Sequence, residues 1–303
     1  MAYDCAVIGG GPAGLTAVIY ARRAGLGVLL IEKLYPGGQL ANVEKCENYP
    51  GFAEITGFDL IQNFTGHAGK YGYDKADGET LSVKQNGVVF TVITENGAYE
   101  AKTVIISTGA GPMKLGALGE DKFSGRGVSY CASCDGALYK NKTAAVIGGG
   151  NTAAQDALYL ARLCEKVYII HRRDKLRAER NLQNRLNLPN VEIIYDTVLE
   201  EIRGENSVNG IKLKNVKSGE KTELAVAGVF MAVGIVPNTG FIKDFIKTDE
   251  KGFILTDESM RTDVPGIFAA GDARAKPLRQ IVTAAADGAV AAYSAQIYLN
   301  ETS

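Results

Sequence analysis

Two cysteines, Cys131 and Cys134, have the spacing of a redox-active or metal-binding pair. Ala132-Ser133 lies between them, and the three other cysteines of the chain stand alone. A structural zinc ion would need two more ligands, but neither those cysteines nor the two histidines have ligand spacing. The pair therefore favours reversible disulfide chemistry, in which an accessible thiolate attacks a sulfur atom, and the sequence predicts no metal site.

The residue that follows the pair, Asp135, is a candidate for the accompanying proton transfer. A carboxyl group beside a disulfide can deliver a proton when the disulfide opens and remove it when the disulfide closes. An aspartate also suits the N-cap of a helix. The sequence leaves both roles open, and one side chain could fill both.

A glycine-rich segment near the start of the chain has the spacing of a dinucleotide site. The apolar stretch 5–8 leads into Gly9-Gly10-Gly11-Pro12-Ala13-Gly14, which is followed by a helical pattern and by a second apolar strand that ends at Glu32. Glycines at these positions permit a tight turn, a close approach of the backbone to a pyrophosphate, and close packing of helix on strand. Glu32 would accept hydrogen bonds from the ribose hydroxyls of an adenosine.

The same unit recurs further along the chain. Residues 144–147 lead into Gly148-Gly149-Gly150-Asn151-Thr152-Ala153, which starts 139 residues after Gly9, and the register holds into the next strand. Two copies with complete strand, turn and helix context indicate two nucleotide-binding units.

The two copies differ at the position that selects the nucleotide. Glu32 of the first copy corresponds to His171 in the second, which is followed by Arg172, Arg173 and Arg177. A carboxylate there suits a bare ribose, whereas arginines suit a 2′-phosphate. Between residues 113 and 238 the chain carries 18 Lys and Arg against 14 Asp and Glu, while the remainder is acidic. The second unit is therefore predicted to bind NADPH.

These sites need two α/β units and a returning segment to position them. The 66 residues after Pro237 are too few for a third copy, and they contain an apolar strand that ends at Gly271-Asp272, followed by a helix over about 280–299. The economical arrangement completes the first domain with this segment. We predict a discontinuous first domain (1–112 and 241–303) and an inserted second domain (113–240), both Rossmann-like three-layer α/β folds, with the two crossings between the domains forming a hinge.

Composition excludes several other classes of protein. The chain has 303 residues, 46% hydrophobic and 22% charged, with a net charge of −1, so it has no basic field for nucleic acid or an anionic membrane. The longest near-apolar run, 225–236, is too short to span a bilayer. The acidic start of the chain does not resemble a signal peptide. We therefore expect a soluble, cytoplasmic protein.

Taken together, these motifs resemble the low-molecular-weight, bacterial-type thioredoxin reductases, which are FAD- and NADPH-dependent pyridine nucleotide-disulfide oxidoreductases. The resemblance covers essentially the whole chain and includes the segments Gly37-Gly38-Gln39-Leu40, Glu47-Asn48-Tyr49-Pro50-Gly51 and Arg279-Gln280, which line the flavin in that family. It implies a homodimer that passes electrons from NADPH through FAD and the cysteine pair to thioredoxin, with a rotating inserted domain. Cys134 would lie nearest the flavin, Cys131 would attack the partner's disulfide and Asp135 would supply the proton.

The resemblance also implies the residues that bind each cofactor. For FAD they are Gly9, Gly11, Pro12, Ala13, Gly14, Glu32, Gly38, Gln39, Leu40, Asn48, Gly109, Gly271, Asp272, Arg279, Gln280 and Ile281. For NADPH they are Gly148, Gly150, Asn151, Thr152, His171, Arg172, Arg173 and Arg177. Cys46, beside a flavin-lining segment, is an extra thiol that we expect to be buried and to contribute to packing rather than to form a third redox centre.

Other hypotheses for this sequence assign a different electron acceptor or donor, or a flavoprotein that does not catalyse a reaction. A related reductase could serve a glutaredoxin-like or peroxiredoxin-linked acceptor. Dithiol oxidases and ferredoxin-fed reductases share the architecture but are expected to lack the arginine cluster. A redox-sensing flavoprotein without turnover would hold little flavin, or flavin that NADPH does not reduce.

Overall fold

The computed structural model describes residues 2–43 and 46–302. The chain divides into two units: the first comprises Met1–Gly111 and Val236–Ser303, and the second is Pro112–Ile235. The second unit therefore lies, in chain order, between the two halves of the first.

The strands and helices follow in chain order. The strands are β1 (Tyr3–Ile8), β2 (Val28–Glu32), β3 (Asp74–Asp77), β4 (Thr80–Asn86), β5 (Val89–Thr94), β6 (Gly97–Ile106), β7 (Ala110–Pro112), β8 (Val128–Ser129), β9 (Thr143–Gly148), β10 (Lys166–Ile170), β11 (Val191–Ile194), β12 (Thr197–Gly204), β13 (Val208–Asn215), β14 (Lys221–Leu224), β15 (Gly228–Ala232), β16 (Ile235–Pro237) and β17 (Ile267–Ala269). The helices are α1 (Pro12–Arg23), α2 (Gly57–Gly69), α3 (Ala132–Asp135), α4 (Asn151–Leu160), α5 (Arg180–Arg185) and α6 (Ile281–Thr302). Short 3₁₀ turns occupy Gly38–Asn42, Gly136–Tyr139 and Gly271–Ala273.

The first unit is built on a mainly parallel sheet. Its parallel strands run in the order β3-β2-β1-β6-β17, and β4 and β5 extend the other half of β6 as an antiparallel excursion. The inner parallel strands β1, β2 and β17 are largely apolar, as expected where both faces of a sheet are covered, whereas the edge strand β3 is mostly charged and exposed. Helices α1, α2 and α6 cover one face, and the apolar side chains of β4, β5 and residues 242–254 cover the other.

Close contact between α1 and α6 depends on small residues. A Cβ on Gly288 would lie 2.0 Å from the carbonyl oxygen of Ala13, so only glycine lets the two backbones approach this closely. This contact seats the long C-terminal helix against the helix that follows the first glycine loop.

The second unit has three layers. Its central parallel sheet runs β11-β10-β9-β15-β8. Helices α4 and α5 pack on one face, and the antiparallel sheet β12-β13-β14 packs on the other through apolar side chains such as Leu199, Ile211 and Leu213. The predicted fold class, two Rossmann-like α/β units with the second inserted into the first, is confirmed.

The segments that join the two units pair with each other as a two-stranded sheet, β7 with β16. The C-terminal helix runs from Ile281 to Thr302, three residues beyond the predicted end. In the described part of the chain no helix is both long and apolar enough to cross a membrane.

Candidate functional site: a disulfide and two glycine loops

The sulfur atoms of Cys131 and Cys134 are bonded to each other. The S–S distance is 2.07 Å, and both residues are partly exposed. Cys131 forms the N-cap of the four-residue helix α3, and its carbonyl oxygen accepts the backbone N–H groups of Cys134 (3.2 Å) and Asp135 (3.1 Å). An accessible disulfide on a short helical turn is the form in which a dithiol pair can be attacked by an incoming reductant.

Asp135 occupies the N-cap position of the 3₁₀ turn Gly136–Tyr139, but its side chain makes no capping hydrogen bond there. Asp135 is the last residue of α3, and its Oδ2 lies 2.6 Å from the hydroxyl of Ser129. Sequence reasoning missed Ser129, because a serine six residues away carries no spacing signal that marks it as the partner of an acid. Because Ser129 is the last residue of strand β8, this hydrogen bond ties the Asp135 carboxylate to the sheet.

Tyr130, directly before the disulfide, is also anchored. Its hydroxyl donates to Glu120 Oε1 at 2.9 Å, and this carboxylate, 2% exposed, also accepts the backbone N–H groups of residues 115–117. Burial and the neighbouring Glu120 carboxylate raise the pKa of Tyr130, so the phenol stays protonated as the donor. The Glu120 carboxylate therefore links Tyr130, just before the disulfide, to the backbone of residues 115–117.

In the first glycine loop, Gly9 and Gly14 are tightly packed, whereas Gly11 borders open space. A Cβ on Gly14 would lie 1.8 Å from the carbonyl oxygen of Gly9, and one on Gly9 would lie 2.5 Å from that of Ser107. A Cβ on Gly11 would meet nothing within 4 Å. Gly11 is the N-cap of α1 with no side-chain cap, and Pro12 and Ala13 begin the helix. The loop therefore leaves open the space beside a helix N-terminus, where a phosphate binds.

Glu32 lies at the end of β2 beside this loop. Its Oε2 accepts the backbone N–H of Gly10 at 2.6 Å, and its Oε1 accepts that of Lys33 at 2.8 Å. The carboxylate keeps further lone pairs for other donors. It borders an open cavity of about 400 Å³ that is also lined by Leu34, Tyr35 and Pro36.

Two other predicted FAD residues, Gly38 and Gly271, lie beside the same loop, and the rest are held by contacts elsewhere in the first unit. A Cβ on Gly38 would lie 3.7 Å from Gly11, and one on Gly271 would lie 2.9 Å from the side chain of Ala13. Gln39 donates to the carbonyl oxygen of Ala110, next to Gly109, and Leu40 is buried. Across the sequence, Asn48 Nδ2 donates to Gln280 Oε1 at 3.0 Å, just before Ile281 opens α6.

Cys46 is buried, at 4% exposure, and its Sγ lies 3.5 Å from Asn48 Oδ1. It is a free thiol within the packed part of the first unit. Its position agrees with the packing role expected from the sequence.

Asp272 and Arg279 contain buried polar atoms that the described residues leave without a hydrogen-bond partner. These atoms are Asp272 Oδ1 and Arg279 Nε. Burial raises the pKa of Asp272, an effect opposed by the nearby charges of Lys276 and Arg279. Burial likewise lowers the pKa of Arg279. Buried polar atoms are normally paired, so this part of the first unit has donors and acceptors to offer a bound molecule.

The second glycine loop repeats the first. A Cβ on Gly148 would lie 2.4 Å from the carbonyl oxygen of Ala232, whereas one on Gly150 would meet nothing within 4 Å. Gly150 is the N-cap of α4, again with no side-chain cap, and Asn151 and Thr152 are the first helical residues. This loop also has an open helix N-terminus.

His171 lies beneath this loop. It is 4% exposed, and a Cβ on Gly149 would lie 2.2 Å from its ring. Burial lowers the pKa of His171; hydrogen bonds to the backbone of Lys175 and Gly148 oppose this effect, and the charges of Arg177 and Arg173 add to it. Its Nε2 finds no partner among the described residues.

The arginines predicted to bind a phosphate are all exposed: Arg172, Arg173 and Arg177. The backbone N–H of Arg177 donates to the carbonyl oxygen of Gly149 at 2.7 Å, which brings the arginine segment to the glycine loop. The side chain of Asn151 is engaged by Glu179, with which it makes two hydrogen bonds of 2.8 and 2.9 Å. Within the described residues, no group of three or more His, Cys, Asp or Glu side chains is arranged to hold a metal ion.

The family model described as pyridine nucleotide-disulphide oxidoreductase matches residues 3–288 of the chain. A protein of Listeria monocytogenes named thioredoxin reductase is 48% identical over 301 residues, which cover 99% of this chain and 94% of that protein. A protein of the same name from Treponema pallidum is 47% identical over 300 residues, covering 98% of this chain and 97% of the other.

A solved structure shows the same architecture. The crystal structure of thioredoxin reductase from Streptococcus pyogenes aligns with a TM-score of 0.93 at 45% identity, covering 99% of this chain and 98% of that chain. The likeness extends over both glycine loops and the disulfide segment.

Proposed function

The chain belongs to the pyridine nucleotide-disulphide oxidoreductase family, and from this premise we propose that it is a thioredoxin reductase, an NADPH-dependent flavoprotein that reduces the disulfide of thioredoxin. The observation that carries the proposal is the accessible Cys131–Cys134 disulfide in the same unit as the second glycine loop. Relatives named thioredoxin reductase match nearly the full length of the chain.

The first unit has features that fit FAD. The open space at Gly11, the cavity beside Glu32, and the unpartnered atoms of Asp272 and Arg279 suit a phosphate, a ribose and further polar groups, respectively. When bound, FAD supplies the two-electron relay between NADPH and the disulfide. We assign to FAD the residues Gly9, Gly11, Pro12, Ala13, Gly14, Glu32, Gly38, Gln39, Leu40, Asn48, Gly109, Gly271, Asp272, Arg279, Gln280 and Ile281.

The second unit has features that fit NADPH. The open space at Gly150 suits a pyrophosphate, and the exposed arginines suit a 2′-phosphate. The buried His171 supports the loop from below, so we assign its contribution to holding the loop. The proposed NADPH residues are Gly148, Gly150, Asn151, Thr152, His171, Arg172, Arg173 and Arg177.

At the disulfide, reduction breaks the S–S bond and consumes two electrons and two protons to give two thiols. The Cys131 thiolate then attacks the disulfide of thioredoxin, forming a mixed disulfide and releasing one thioredoxin thiolate, which takes up a proton. Cys134 attacks the Sγ of Cys131, which re-forms the original disulfide and releases thioredoxin as a dithiol. Asp135 supplies and removes protons during this exchange.

The functional chain is proposed to be a homodimer. Apolar side chains form an exposed stripe along α6 at helical spacing, with Val282 39%, Val290 37% and Tyr293 62% exposed. Tyr20 on the neighbouring α1 is 46% exposed. Exposed apolar patches of this kind are typical of protein interfaces, and a second copy of this chain is the occupant that the family resemblance implies.

The protein is further proposed to act in the cytoplasm. Cys5, Cys46 and Cys164 are buried free thiols. Burial raises the pKa of Cys5 to about 12 and that of Cys164 to about 11, so both remain unreactive thiols. Free thiols beside a catalytic disulfide are typical of a reducing compartment.

An anaerobic titration tests the proposal. Purified protein loaded with FAD is mixed with NADPH, and the flavin absorbance is followed before and after oxidised thioredoxin is added. We expect bleaching by NADPH and recovery on addition of thioredoxin. Cys134→Ser should keep the bleaching and lose thioredoxin reduction, whereas the control Cys164→Ser should keep both.

Other outcomes would favour the alternatives. Bleaching without recovery by any thioredoxin, but with recovery by a glutaredoxin-like protein or a peroxiredoxin system, would identify a different acceptor. Protein that binds FAD but is not bleached by NADPH would indicate a redox-sensing flavoprotein. Protein that cannot bind FAD would overturn the proposal.

A further inference from the structure

Ser129 connects both ends of the disulfide turn. It is the last residue of β8 and is 4% exposed. Its Oγ lies 2.6 Å from Asp135 Oδ2, 3.1 Å from the backbone nitrogen of Cys131 and 3.3 Å from the carbonyl oxygen of Cys131. One hydroxyl therefore contacts the residue that starts the turn and the carboxylate that follows it.

The chemistry of these partners decides where the hydroxyl proton points. The Cys131 nitrogen is a donor, so Oγ accepts from it. The single hydroxyl proton then goes to the carboxylate, because a hydrogen bond to an ionised acceptor is the shorter and stronger one. The competing acceptor, the carbonyl oxygen of Cys131, already receives the N–H groups of Cys134 and Asp135.

Backbone hydrogen bonds within the turn do not by themselves fix the position of the Asp135 carboxylate. Helix α3 has only four residues and no side-chain N-cap, and a helix this short is not stable by itself. Ser129, in contrast, is held in the parallel ladder, where it pairs with Phe230 of β15. The hydroxyl transmits the fixed position of the strand to the carboxylate.

We infer that Ser129 is a positioning residue for disulfide reduction, holding the Asp135 carboxylate and the Cys131 amide in one arrangement as the S–S bond opens and closes. This inference rests on the proposed function for its biological meaning. Its physical content concerns the disulfide alone: without the hydroxyl, the carboxylate rotates away, and it no longer takes up a proton from solvent and passes it to the leaving sulfur as efficiently.

The first experiment uses FAD-loaded protein with NADPH and thioredoxin. Ser129→Ala should lower kcat by about 10- to 100-fold, the value of a hydrogen bond to a charged group, with KM for thioredoxin nearly unchanged. Ser129→Thr keeps the hydroxyl on a residue that suits a strand and should recover most of the rate. Ser294→Ala removes a buried serine hydroxyl in α6 and should leave both constants unchanged.

A double-mutant cycle tests whether Ser129→Ala lowers the rate through Asp135. Ser129→Ala should have little further effect in an Asp135→Asn background, because the carboxylate that it positions is already gone. Additive effects of the two substitutions would overturn the inference, and so would failure of Ser129→Thr to restore any rate.

The second experiment separates this inference from the proposed function. Dithiothreitol opens the Cys131–Cys134 bond by two thiol exchanges, ending as a cyclic disulfide while the protein gains two thiols, and neither NADPH nor thioredoxin is involved. The rate is read by acid quenching and alkylation of the two cysteines. Slower opening in Ser129→Ala, in protein that fails to reduce thioredoxin, would support the inference and refute the function. Equal rates in wild type and Ser129→Ala would overturn the inference.

Discussion

The Nζ of Lys276 lies 2.7 Å from Oδ2 of Asp287, and the two side chains are only 4% and 11% exposed. The same carboxylate oxygen accepts the backbone N–H of Gly271 at 3.0 Å and lies 3.8 Å from Nε of Arg274. This buried ion pair thus ties the turn that carries Asp272 to helix α6. The turn holds several of the residues proposed for FAD.

Lys276→Met should destabilise the first unit strongly. The substitution leaves the Asp287 carboxylate buried without its closest cation, and breaking such a pair costs about 3–5 kcal/mol. Because Arg274 still faces the carboxylate, we expect the lower end of this range, together with weaker retention of FAD. Urea unfolding and flavin release on dilution measure the two effects. The control is Lys251→Met, at an exposed lysine in the same unit, and equal unfolding of Lys276→Met and wild type would refute the prediction.

Substitution of alanine at two adjacent glycines of the second loop should have different effects: one should lower stability and the other should weaken NADPH binding. Gly149→Ala places a Cβ 2.2 Å from the ring of the buried His171, so we expect a loss of about 1–3 kcal/mol. Gly150→Ala meets nothing within 4 Å and should keep its stability, but it should raise KM for NADPH, since a pyrophosphate approaches this backbone. Thermal unfolding and steady-state kinetics test the pair, and a Gly149→Ala protein that melts with wild type would contradict the expected steric clash.

Local spacing predicted the two glycine loops because a tight turn and a close helix approach demand glycine at particular positions. Helices α1 and α4 begin within one residue of the third position of each motif, and the strands on either side follow from apolar runs. The same logic located the returning strand at 267–269 and the long helix after it.

Side-chain pairs formed by tertiary packing could not be predicted in this way. The partners Ser129 and Asp135 are 6 residues apart, Lys276 and Asp287 are 11 apart, and Asn151 and Glu179 are 28 apart. His171 occupies the expected strand end, but its ring turns under Gly149 rather than outward. The direction in which a polar side chain at a strand end points depends on tertiary packing, which the local sequence does not determine.

The preference for NADPH over NADH should depend on Arg172 and Arg173. Both are exposed at the end of β10, where each could contribute about 4 kcal/mol of Coulomb energy toward a phosphate at 4 Å before desolvation. Arg172→Ala with Arg173→Ala should lower the ratio of kcat/KM for NADPH to that for NADH by at least about tenfold. High salt should reduce the preference of the wild type. Arg185→Ala, at an exposed arginine on α5, should leave the ratio unchanged; an unchanged ratio in the double variant would exclude the cluster.

Asp156, on α4, should make the stability of the protein depend on pH. Burial raises its pKa from the usual 3.8 of an aspartate to about 7. Between these values the native state keeps a proton that the unfolded chain releases, so stability falls as the pH rises from about 4 to about 7. Asp156→Asn removes this loss, and because the side chain keeps some contact with solvent, we expect about 1–2 kcal/mol of added stability at pH 8.

Denaturant unfolding at pH 5 and pH 8 checks the prediction for Asp156. The advantage of Asp156→Asn over wild type should be larger at pH 8, because the loss that accumulates while only the unfolded chain is ionised is partial at pH 5 and complete above about pH 7. Glu205→Gln removes an exposed carboxylate from the same unit and should show no such growth between the two pH values. A difference between Asp156→Asn and wild type that stays constant from pH 5 to pH 8 would mean that Asp156 ionises like an exposed aspartate, and that the asparagine acts through packing instead.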